Sequence, residues 1–258
     1  MPLYIGTSGW QYRHWRETFY PRGVPQRAWL EFYSERFATV ESNAAFYRLP
    51  EAATFGAWAE RTPSDFIMAV KASRYLTHVL RLKEPEGSVR LIVDRVKELG
   101  DSRGPILLQL PPTLKIELDR LRATLDAFPD GLRVAVEFRH KSWFTDEVRR
   151  ALEDRRAALC LADRLGPITP IWRTTNWTYL RFHSGRSKPL PCYGRQALAS
   201  WVGRLHDNWA PDEDAYVYFN NDPQACALRD AIVFARLAKR ARLNPTRVPD
   251  LRQVALGR

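Results

Sequence analysis

Charged and amide side chains stand at the ends of several short apolar runs, where packing alone does not explain them. They are Glu41 and Asn43, Lys71, Gln109, Glu137 and Arg139, Asp163, Arg181 and His183, and Asn220. Carboxylates, imidazoles and amines are the groups that transfer protons, bind metal ions or hold anions in enzymes. Because an unpaired buried charge costs several kcal/mol, these side chains need each other, a metal ion or a substrate as partners.

Three of these carboxylates have the chemistry of a divalent-metal site. Glu41, Glu137 and Asp163 are predicted to bind an ion of the Mg²⁺ or Mn²⁺ kind, which prefers oxygen ligands and can activate water. In this interpretation His183 completes the metal shell or transfers a proton. The sequence contains no HExxH or HxH spacing, so a site with several zinc ions is not predicted.

Two metal-free chemistries are compatible with the same residues. Lys71, if it is removed from water, could attack a carbonyl group and form an imine. Glu137 and Asp163 could act as an acid and a base, as in the hydrolysis of sugars. A closed layer of ion pairs, in which the cationic side chains only neutralise the carboxylates, is the structural alternative.

Eight apolar runs, which recur at intervals of about 30 residues, must position these side chains. The runs cover residues 4–8, 39–43, 66–71, 106–109, 133–137, 158–163, 178–183 and 215–220. Such runs, separated by helical patterns, predict parallel strands buried on both faces, and eight of them predict a (β/α)8 TIM barrel. The alternation of side chains along a strand predicts that Glu41, Glu137 and Asp163 point inward at the carboxyl-terminal mouth.

Helical patterns fill most of the intervals between these strands. They cover about residues 25–37, 51–61, 89–99, 117–128, 145–153, 196–209 and 223–240. Asp222 is predicted to cap the last helix. Residues 164–176 have two prolines and no helical period, so an irregular connection is predicted between strands six and seven. The whole chain, 1–258, is predicted to be one barrel domain with a surface strap from about residue 243.

Aromatic and basic side chains are frequent in the segments predicted to surround the mouth. Tyr47 and Trp143 follow strands two and five, and His78 lies in a long connection after strand three. The residues predicted to bind substrate are these three with Asn43, Gln109, Arg139, Arg181 and Asn220. Aromatic rings beside arginines are also typical of a platform for single-stranded nucleic acid. The chain has no GxxxxGK[ST] or GxGxxG motif, so no nucleotide cofactor is expected.

The composition of the chain indicates which partners and compartment to expect. The formal net charge of +11 favours anionic partners, either small molecules or nucleic acid. Three cysteines without CxxC spacing predict a reducing compartment, with neither a disulfide framework nor a zinc site. With no signal-peptide pattern and no apolar stretch long enough to span a membrane, the protein is expected to be cytoplasmic and to have no membrane partner.

Ordered blocks along the chain resemble one known family. They are Ile5-Gly6-Thr7-Ser8-Gly9-Trp10, Thr39-Val40-Glu41-Ser42-Asn43, Leu107-Leu108-Gln109-Leu110-Pro111-Pro112, Val136-Glu137-Phe138-Arg139-His140, Arg181-Phe182-His183 and Tyr218-Phe219-Asn220-Asn221-Asp222. This pattern resembles domain-of-unknown-function family 72, the YecE-like proteins. The resemblance implies a TIM barrel in which the polar strand ends are the signature positions. It implies no particular reaction, because the family has no established one.

The residues and the charge together favour an enzyme whose substrate is an anion. The first hypothesis is a hydrolase of a phosphate-bearing substrate, with nucleic acid among the candidates. The residues predicted to be catalytic are Glu41, Lys71, Glu137, Asp163 and His183, and Lys71 would face the substrate. The alternatives are a lyase or isomerase that uses Lys71 on a sugar phosphate, and a non-catalytic protein that binds single-stranded nucleic acid.

Overall fold

The computed structural model describes residues 1–164 and 169–254, and its frame is a sheet of parallel strands. The strands are β1 Pro2–Thr7, β2 Thr39–Ser42, β3 Ile67–Lys71, β4 Arg103–Gln109, β5 Val134–Glu137, β6 Ala158–Asp163, β7 Trp177–Phe182, β8 Asp214–Phe219 and β9 Asn244–Pro245. Each of the eight apolar runs predicted as a strand forms one. The ninth strand is a two-residue addition from the carboxyl-terminal tail.

Helices lie in the intervals between most of these strands. They are α1 Trp29–Ser34, α2 Ala44–Tyr47, α3 Ala52–Glu60, α4 Pro85–Val96, α5 Leu118–Asp126, α6 Asp146–Asp154, α7 Arg195–Asn208 and α8 Cys226–Arg240. Residues 169–176, between β6 and β7, contain no helix, as predicted. The remainder of that connection, residues 165–168, lies outside the described part of the chain.

The sheet curls so that its strands follow the order β2-β3-β4-β5-β6-β7-β8-β1-β9. Parallel order and helices on the outside make this a barrel-like α/β fold. Within the described ranges, β1 and β2 share no ladder of backbone hydrogen bonds, so the sheet is open along this seam. The predicted eightfold barrel is therefore confirmed in its strands and their order, whereas its closure by backbone pairing is not found.

Side chains and close backbone contact bridge the seam between β1 and β2. The hydroxyl of Tyr33 accepts a hydrogen bond from the Thr7 amide at 3.0 Å and donates to the Thr39 carbonyl at 3.1 Å. At Gly6 the two strands come so close that an added Cβ would lie 2.3 Å from the Thr39 oxygen. Glycine is thus required at this position by the approach of the neighbouring backbone.

The carboxyl-terminal tail crosses the same seam at the amino-terminal end of the strands. Its strand β9 pairs with β1, and the Thr246 amide donates to the Leu3 carbonyl at 2.9 Å. The next carbonyl, of Arg247, accepts from the Ala38 amide just before β2 at 3.1 Å. The Arg247 guanidinium also contacts the Asp65 carboxylate at 2.6 Å. The tail therefore connects both edges of the sheet.

The strands separate two apolar layers. The interior layer takes one or more side chains from most strands and contains Tyr4, Ala69, Leu107, Ala135, Cys160, Tyr179, Tyr216 and Tyr218. The outer layer packs the opposite face of the sheet against the helices. On β2, β3, β4, β5 and β7 the polar strand ends continue the interior face, one step above these apolar side chains.

The prediction that the cysteines form no disulfide is wrong. Cys192, in the connection after β7, is bonded to Cys226 at the start of α8. The two cysteines are 34 residues apart in sequence, and their spacing gives no sign of pairing. Only the packing of α8 against the loop before α7 brings them together.

No helix in residues 1–164 and 169–254 is both long and apolar enough to cross a bilayer.

Candidate active site at the carboxyl ends of the strands

Arg181, at the end of β7, is the centre of a buried ion-pair cluster. Its side chain is 1% exposed, and its Nη2 donates to Glu41 Oε1 at 2.7 Å. Its Nη1 donates to Glu137 Oε2 on the other side. The second oxygen of Glu41 accepts from the Tyr179 hydroxyl at 2.7 Å. One guanidinium therefore forms ion pairs with two fully buried carboxylates, as in the ion-pair layer considered from the sequence.

Glu137 is the most heavily bonded carboxylate of the cluster. Besides Arg181, it accepts from Arg139 Nε at 3.0 Å and from His183 Nε2 at 3.1 Å, both at Oε1. Burial favours protonation, but the contacts with His183, Arg181 and Arg139 together outweigh it and hold the Glu137 pKa well below its usual range. Glu137 is thus ionised at neutral pH and has no proton to give as an acid.

His183 is held at both ring nitrogens. Nε2 contacts Glu137, and Nδ1 lies 3.2 Å from the amide nitrogen of Asn220 at the end of β8. Because an amide nitrogen only donates, Nδ1 is the acceptor and the neutral ring carries its proton on Nε2. Burial lowers the pKa of His183, although Glu137 opposes this shift. The imidazole is therefore neutral at pH 7 and fixed in one tautomer.

Lys71 is the cation of the cluster without a carboxylate partner. Lys71 is 8% exposed, and its Nζ lies 3.7 Å from the centroid of the Phe46 ring. No hydrogen bond or ion pair to Nζ is found within residues 1–164 and 169–254. Burial, followed by repulsion from Arg181, lowers the pKa of Lys71 to about 8, while Glu41 and Glu137 partly oppose the shift. The amine is thus partly deprotonated near neutral pH.

The structure does not bring Asp163 to the other carboxylates. On β6 the interior positions are Ala158 and Cys160, whereas Leu161 belongs to the outer layer. Asp163 has the same parity as Leu161, and its carboxylate accepts from Trp201 Nε1 on α7. The inward orientation predicted for Asp163 is therefore wrong. A continuous apolar run does not reveal which of its two faces points into the barrel.

The predicted metal ligands do not fit a metal ion in this arrangement. Asp163 points to the helix layer, and the oxygens of Glu41 and Glu137 are each bonded to a side chain of the cluster. Among the described residues, no group of three His, Cys, Asp or Glu side chains could hold a metal ion. Binding between Glu41 and Glu137 would require displacement of Arg181.

The remaining predicted substrate-binding residues differ in their access to the opening. Tyr47 is 83% exposed, and Arg139 is half-buried beside Gln109, to which it donates at 3.2 Å. His78 is half-exposed, and burial with the positive charge of Lys71 lowers its pKa to about 4. Trp143 is fully buried and donates to the Leu114 carbonyl at 2.8 Å. Trp143 and Arg181 are both buried, and Arg181 Nε has no hydrogen-bond partner among the described residues. The role of both in substrate binding stays a prediction.

The sequence of this chain matches one protein family over nearly its whole length. Residues 4–253 match the family described as "Protein of unknown function DUF72". This chain belongs to the DUF72 family. The resemblance noted in the sequence is confirmed by this match, which covers nearly the whole chain.

Relatives of this DUF72 protein include one curated protein and two solved structures. UPF0759 protein YunF of Bacillus subtilis is 27% identical over an alignment of 254 residues. The match covers 85% of this chain and 89% of YunF. A DUF72 family protein of Thermotoga maritima is 26% identical with a TM-score of 0.78, over 93% of this chain and all of that one. A DUF72 family protein of Enterococcus faecalis, at 17% identity and TM-score 0.76, covers 92% of this chain and 95% of its own.

One polar residue near the mouth of the DUF72 protein, Asp222, was not among the predicted site residues. It was predicted to cap a helix, but it makes no capping hydrogen bond and lies against His14 and Trp15. Most predicted site residues lie at the ends of strands, whereas these contacts join the loops that follow β1 and β8. The block Asn220-Asn221-Asp222, which forms part of the resemblance to the family, was the available signal for Asp222. Asn43, which was predicted to bind substrate, donates to the Ser8 carbonyl at 3.1 Å.

Proposed function

We propose that this DUF72 protein is an enzyme whose reacting group is the Lys71 amine. In this proposal Lys71 attacks the carbonyl carbon of a small anionic substrate and forms an imine with loss of water, which is lyase or isomerase chemistry. The supporting observation is that Lys71 is buried, has a pKa of about 8 and has no carboxylate partner in the described ranges. At pH 7 roughly one-tenth of such a lysine is a free amine, far more than for a lysine in water.

The other members of the cluster support the amine without reacting themselves. Glu41 and Glu137 are fully buried and both bonded to Arg181, so neither offers an exposed oxygen to the opening. We propose that they fix Arg181, whose charge contributes to the low pKa of Lys71. Arg139, which is 26% exposed, is the cation that a phosphate or carboxylate of the substrate would contact.

Hydrolysis of an anionic ester is the second candidate. A deprotonated Lys71 could remove a proton from water, and the net charge of +11 favours anionic substrates. The arrangement of the carboxylates weakens this hypothesis. Glu41 and Glu137 could activate water as bases or as metal ligands, but their oxygens are bonded to other side chains of the cluster.

The proposed site requires the eight long strands and their helices to form a closed (β/α)8 barrel. The Tyr33 bridge, the close approach at Gly6 and the tail across the seam support closure without a backbone ladder. Closure would keep Lys71 at the end of β3 and His183 just after β7 at a fixed separation.

Borohydride trapping tests the proposed function. Wild-type protein, Lys71→Met and the exposed-site control Lys83→Met are each incubated with pyruvate, dihydroxyacetone phosphate or ribose 5-phosphate and reduced. We expect a stoichiometric mass increase with at least one probe in wild type and Lys83→Met, located at residue 71 by peptide mapping, and none in Lys71→Met. No adduct in wild type, or equal adducts in Lys71→Met, would refute the imine. Phosphodiester cleavage that needs Lys71 without any adduct would favour the hydrolase.

A further inference from the structure

Another histidine, His14, lies at the same end of the barrel, outside the cluster around Arg181. His14 belongs to a single turn, Arg13–Trp15, in the loop after β1. Its Nε2 is 2.6 Å from Oδ2 of Asp222, in the loop after β8. The two loops meet because β1 and β8 are neighbouring parallel strands, which end at the same edge of the sheet.

The Asp222 carboxylate is buried and held in place. Its side chain is 8% exposed, and Oδ1 accepts from Trp15 Nε1 at 2.7 Å. Trp15 is itself fully buried and stacks with Tyr33 under the loop. Oδ2 has no aligned hydrogen bond from the described residues, and Nε2 of His14 is the polar atom that contacts it. A buried carboxylate with one free oxygen directed at an imidazole is a strong orienting group.

The other ring nitrogen of His14 is available to a ligand. The side chain is 48% exposed, in contrast to His183, and no hydrogen bond to Nδ1 is found within residues 1–164 and 169–254. Contact of Nε2 with Asp222 favours the tautomer that carries the proton on Nε2. Nδ1 then has a lone pair and can accept a proton.

A chain of contacts links His14 to the neighbourhood of Lys71. The Tyr12 ring lies 5.6 Å from the His14 ring, and the Tyr12 hydroxyl donates to the Ser8 carbonyl at 2.5 Å. Asn43 donates to the same carbonyl at 3.1 Å. Helix α2, which begins after Asn43, carries the aromatic ring beneath Lys71. His14 and Lys71 are therefore linked through contacts that meet at the Ser8 carbonyl, just after β1.

We propose that His14 is the proton-transfer residue of the mouth and that Asp222 is its positioning residue. This inference rests on the proposed imine at Lys71. Once the substrate carbonyl has become a protonated imine with release of water, the adjacent C–H bond breaks. Its proton moves to Nδ1 of His14, and its electron pair forms a C=C bond while the imine nitrogen becomes neutral. Protonation at the same carbon reverses the step.

Exchange of carbon-bound hydrogen in D2O tests this assignment. Wild type, His14→Gln and His206→Gln are incubated with dihydroxyacetone phosphate, and loss of its carbon-bound protons is followed by NMR. His206 is a matched control because it forms an exposed pair with Asp207, at 3.2 Å. We expect His14→Gln to exchange about 100-fold more slowly, which is typical of the loss of a general base. Borohydride should still trap the Lys71 adduct, and His206→Gln should behave as wild type.

The outcomes separate the two proposals. An adduct in His14→Gln with exchange at the wild-type rate overturns the role of His14 and leaves Lys71 intact. No adduct in wild type refutes the Lys71 function and, with it, the carbon-acid role of His14. Loss of both adduct and exchange in His14→Gln also overturns the assignment, because His14 would then support the amine and not the C–H bond.

Nitrogen-15 NMR of the histidine rings tests the positioning role of Asp222 without any substrate. Wild type should carry the neutral-state proton of His14 on Nε2, and Asp222→Asn should lose this preference while Asp207→Asn leaves it unchanged. A proton on Nδ1 in wild type, or the same tautomer in Asp222→Asn, would overturn the positioning role.

Discussion

At the scale of single residues, charged groups of similar chemistry have different roles in the cluster. Glu41 and Glu137 are both fully buried and share Arg181, so they neutralise charge. Lys71 is buried beside the same guanidinium but has an aromatic ring in place of a carboxylate. The difference between a paired and an unpaired cation, and not the residue type, makes the lysine the candidate for chemistry.

Removal of the Lys71 charge is expected to stabilise the protein. The pKa of about 8 in the folded state lies below the unfolded value of about 10.4, so at pH 7 protonation favours the unfolded chain. Wild-type stability should therefore rise as the pH increases from about 8 to about 10. We expect Lys71→Met to unfold in urea with a free energy about 2 kcal/mol larger than wild type at pH 7, and the difference to shrink by pH 10.

The exposed variant Lys83→Met is the control for the loss of a lysine charge. It should unfold like wild type at both pH values. A stability difference for Lys71→Met that stays constant from pH 7 to pH 10 would contradict the lowered pKa, because its pH dependence is the signature of the titrating amine.

At the scale of secondary-structure elements, the site depends on a sheet whose edges are joined by a side chain. Tyr33, at the end of α1, bonds to Thr7 on β1 and Thr39 on β2. The tail adds a second bridge, because β9 pairs with the start of β1 and the Arg247 carbonyl accepts from the Ala38 amide next to Thr39. The side chain of Tyr33 on α1 and the tail from β9 thus hold β1 and β2 together with a few specific hydrogen bonds, in place of a ladder of backbone hydrogen bonds.

Tyr33→Phe is expected to weaken the seam. The Thr7 amide would lose its acceptor inside the protein, and an unsatisfied buried donor costs about 1–3 kcal/mol. Urea unfolding should show this loss, and hydrogen exchange should show faster exchange of the Thr7 amide. The exposed Tyr75→Phe is the control and should match wild type. Unchanged protection of Thr7 in Tyr33→Phe would mean that the β1–β2 seam is held by other contacts.

At the scale of the whole molecule, the positive charge is distributed and not collected at one groove. Many arginines are paired with acidic side chains at the surface, such as Arg61 with Glu31 and Arg149 with Glu153. The exposed aromatic residues near the mouth are few, with Tyr47 and Tyr75 the largest in exposure at 83% and 58%. A net charge of +11, with few exposed aromatic side chains among the described residues, favours non-specific attraction of anions.

Binding of single-stranded DNA is therefore expected to be electrostatic. The affinity for a fluorescent oligonucleotide should fall steeply between about 50 and 200 mM salt. A variant that combines Tyr47→Ala with Tyr75→Ala should bind with wild-type affinity at each salt concentration, because base stacking is not the source of binding. A tenfold or larger loss of affinity in the double variant would instead support the nucleic-acid platform predicted from the aromatic residues.

Most of the architecture could be predicted from the sequence. The eight strands and the helices between them follow from apolar runs of strand length, turn residues and helical periods, which are local properties of the chain. Glu41, Lys71, Glu137 and Arg181 could be assigned to one mouth because parallel strands end at the same edge of a sheet. The roles of these residues could not be predicted from the sequence, because the neighbours of a carboxylate decide whether it acts as a base or as an ion-pair partner.

The tertiary structure alone decided which groups meet. It turned Asp163 to the helix layer, because a run that is apolar on both faces has no parity signal. It joined Cys192 to Cys226 and His14 to Asp222, pairs made by loops whose approach no spacing in the sequence records. It also left Lys71 beside Phe46 and out of water. The sequence determined the elements and their polar ends, whereas burial and pairing, which set reactivity, exist only once the chain has packed.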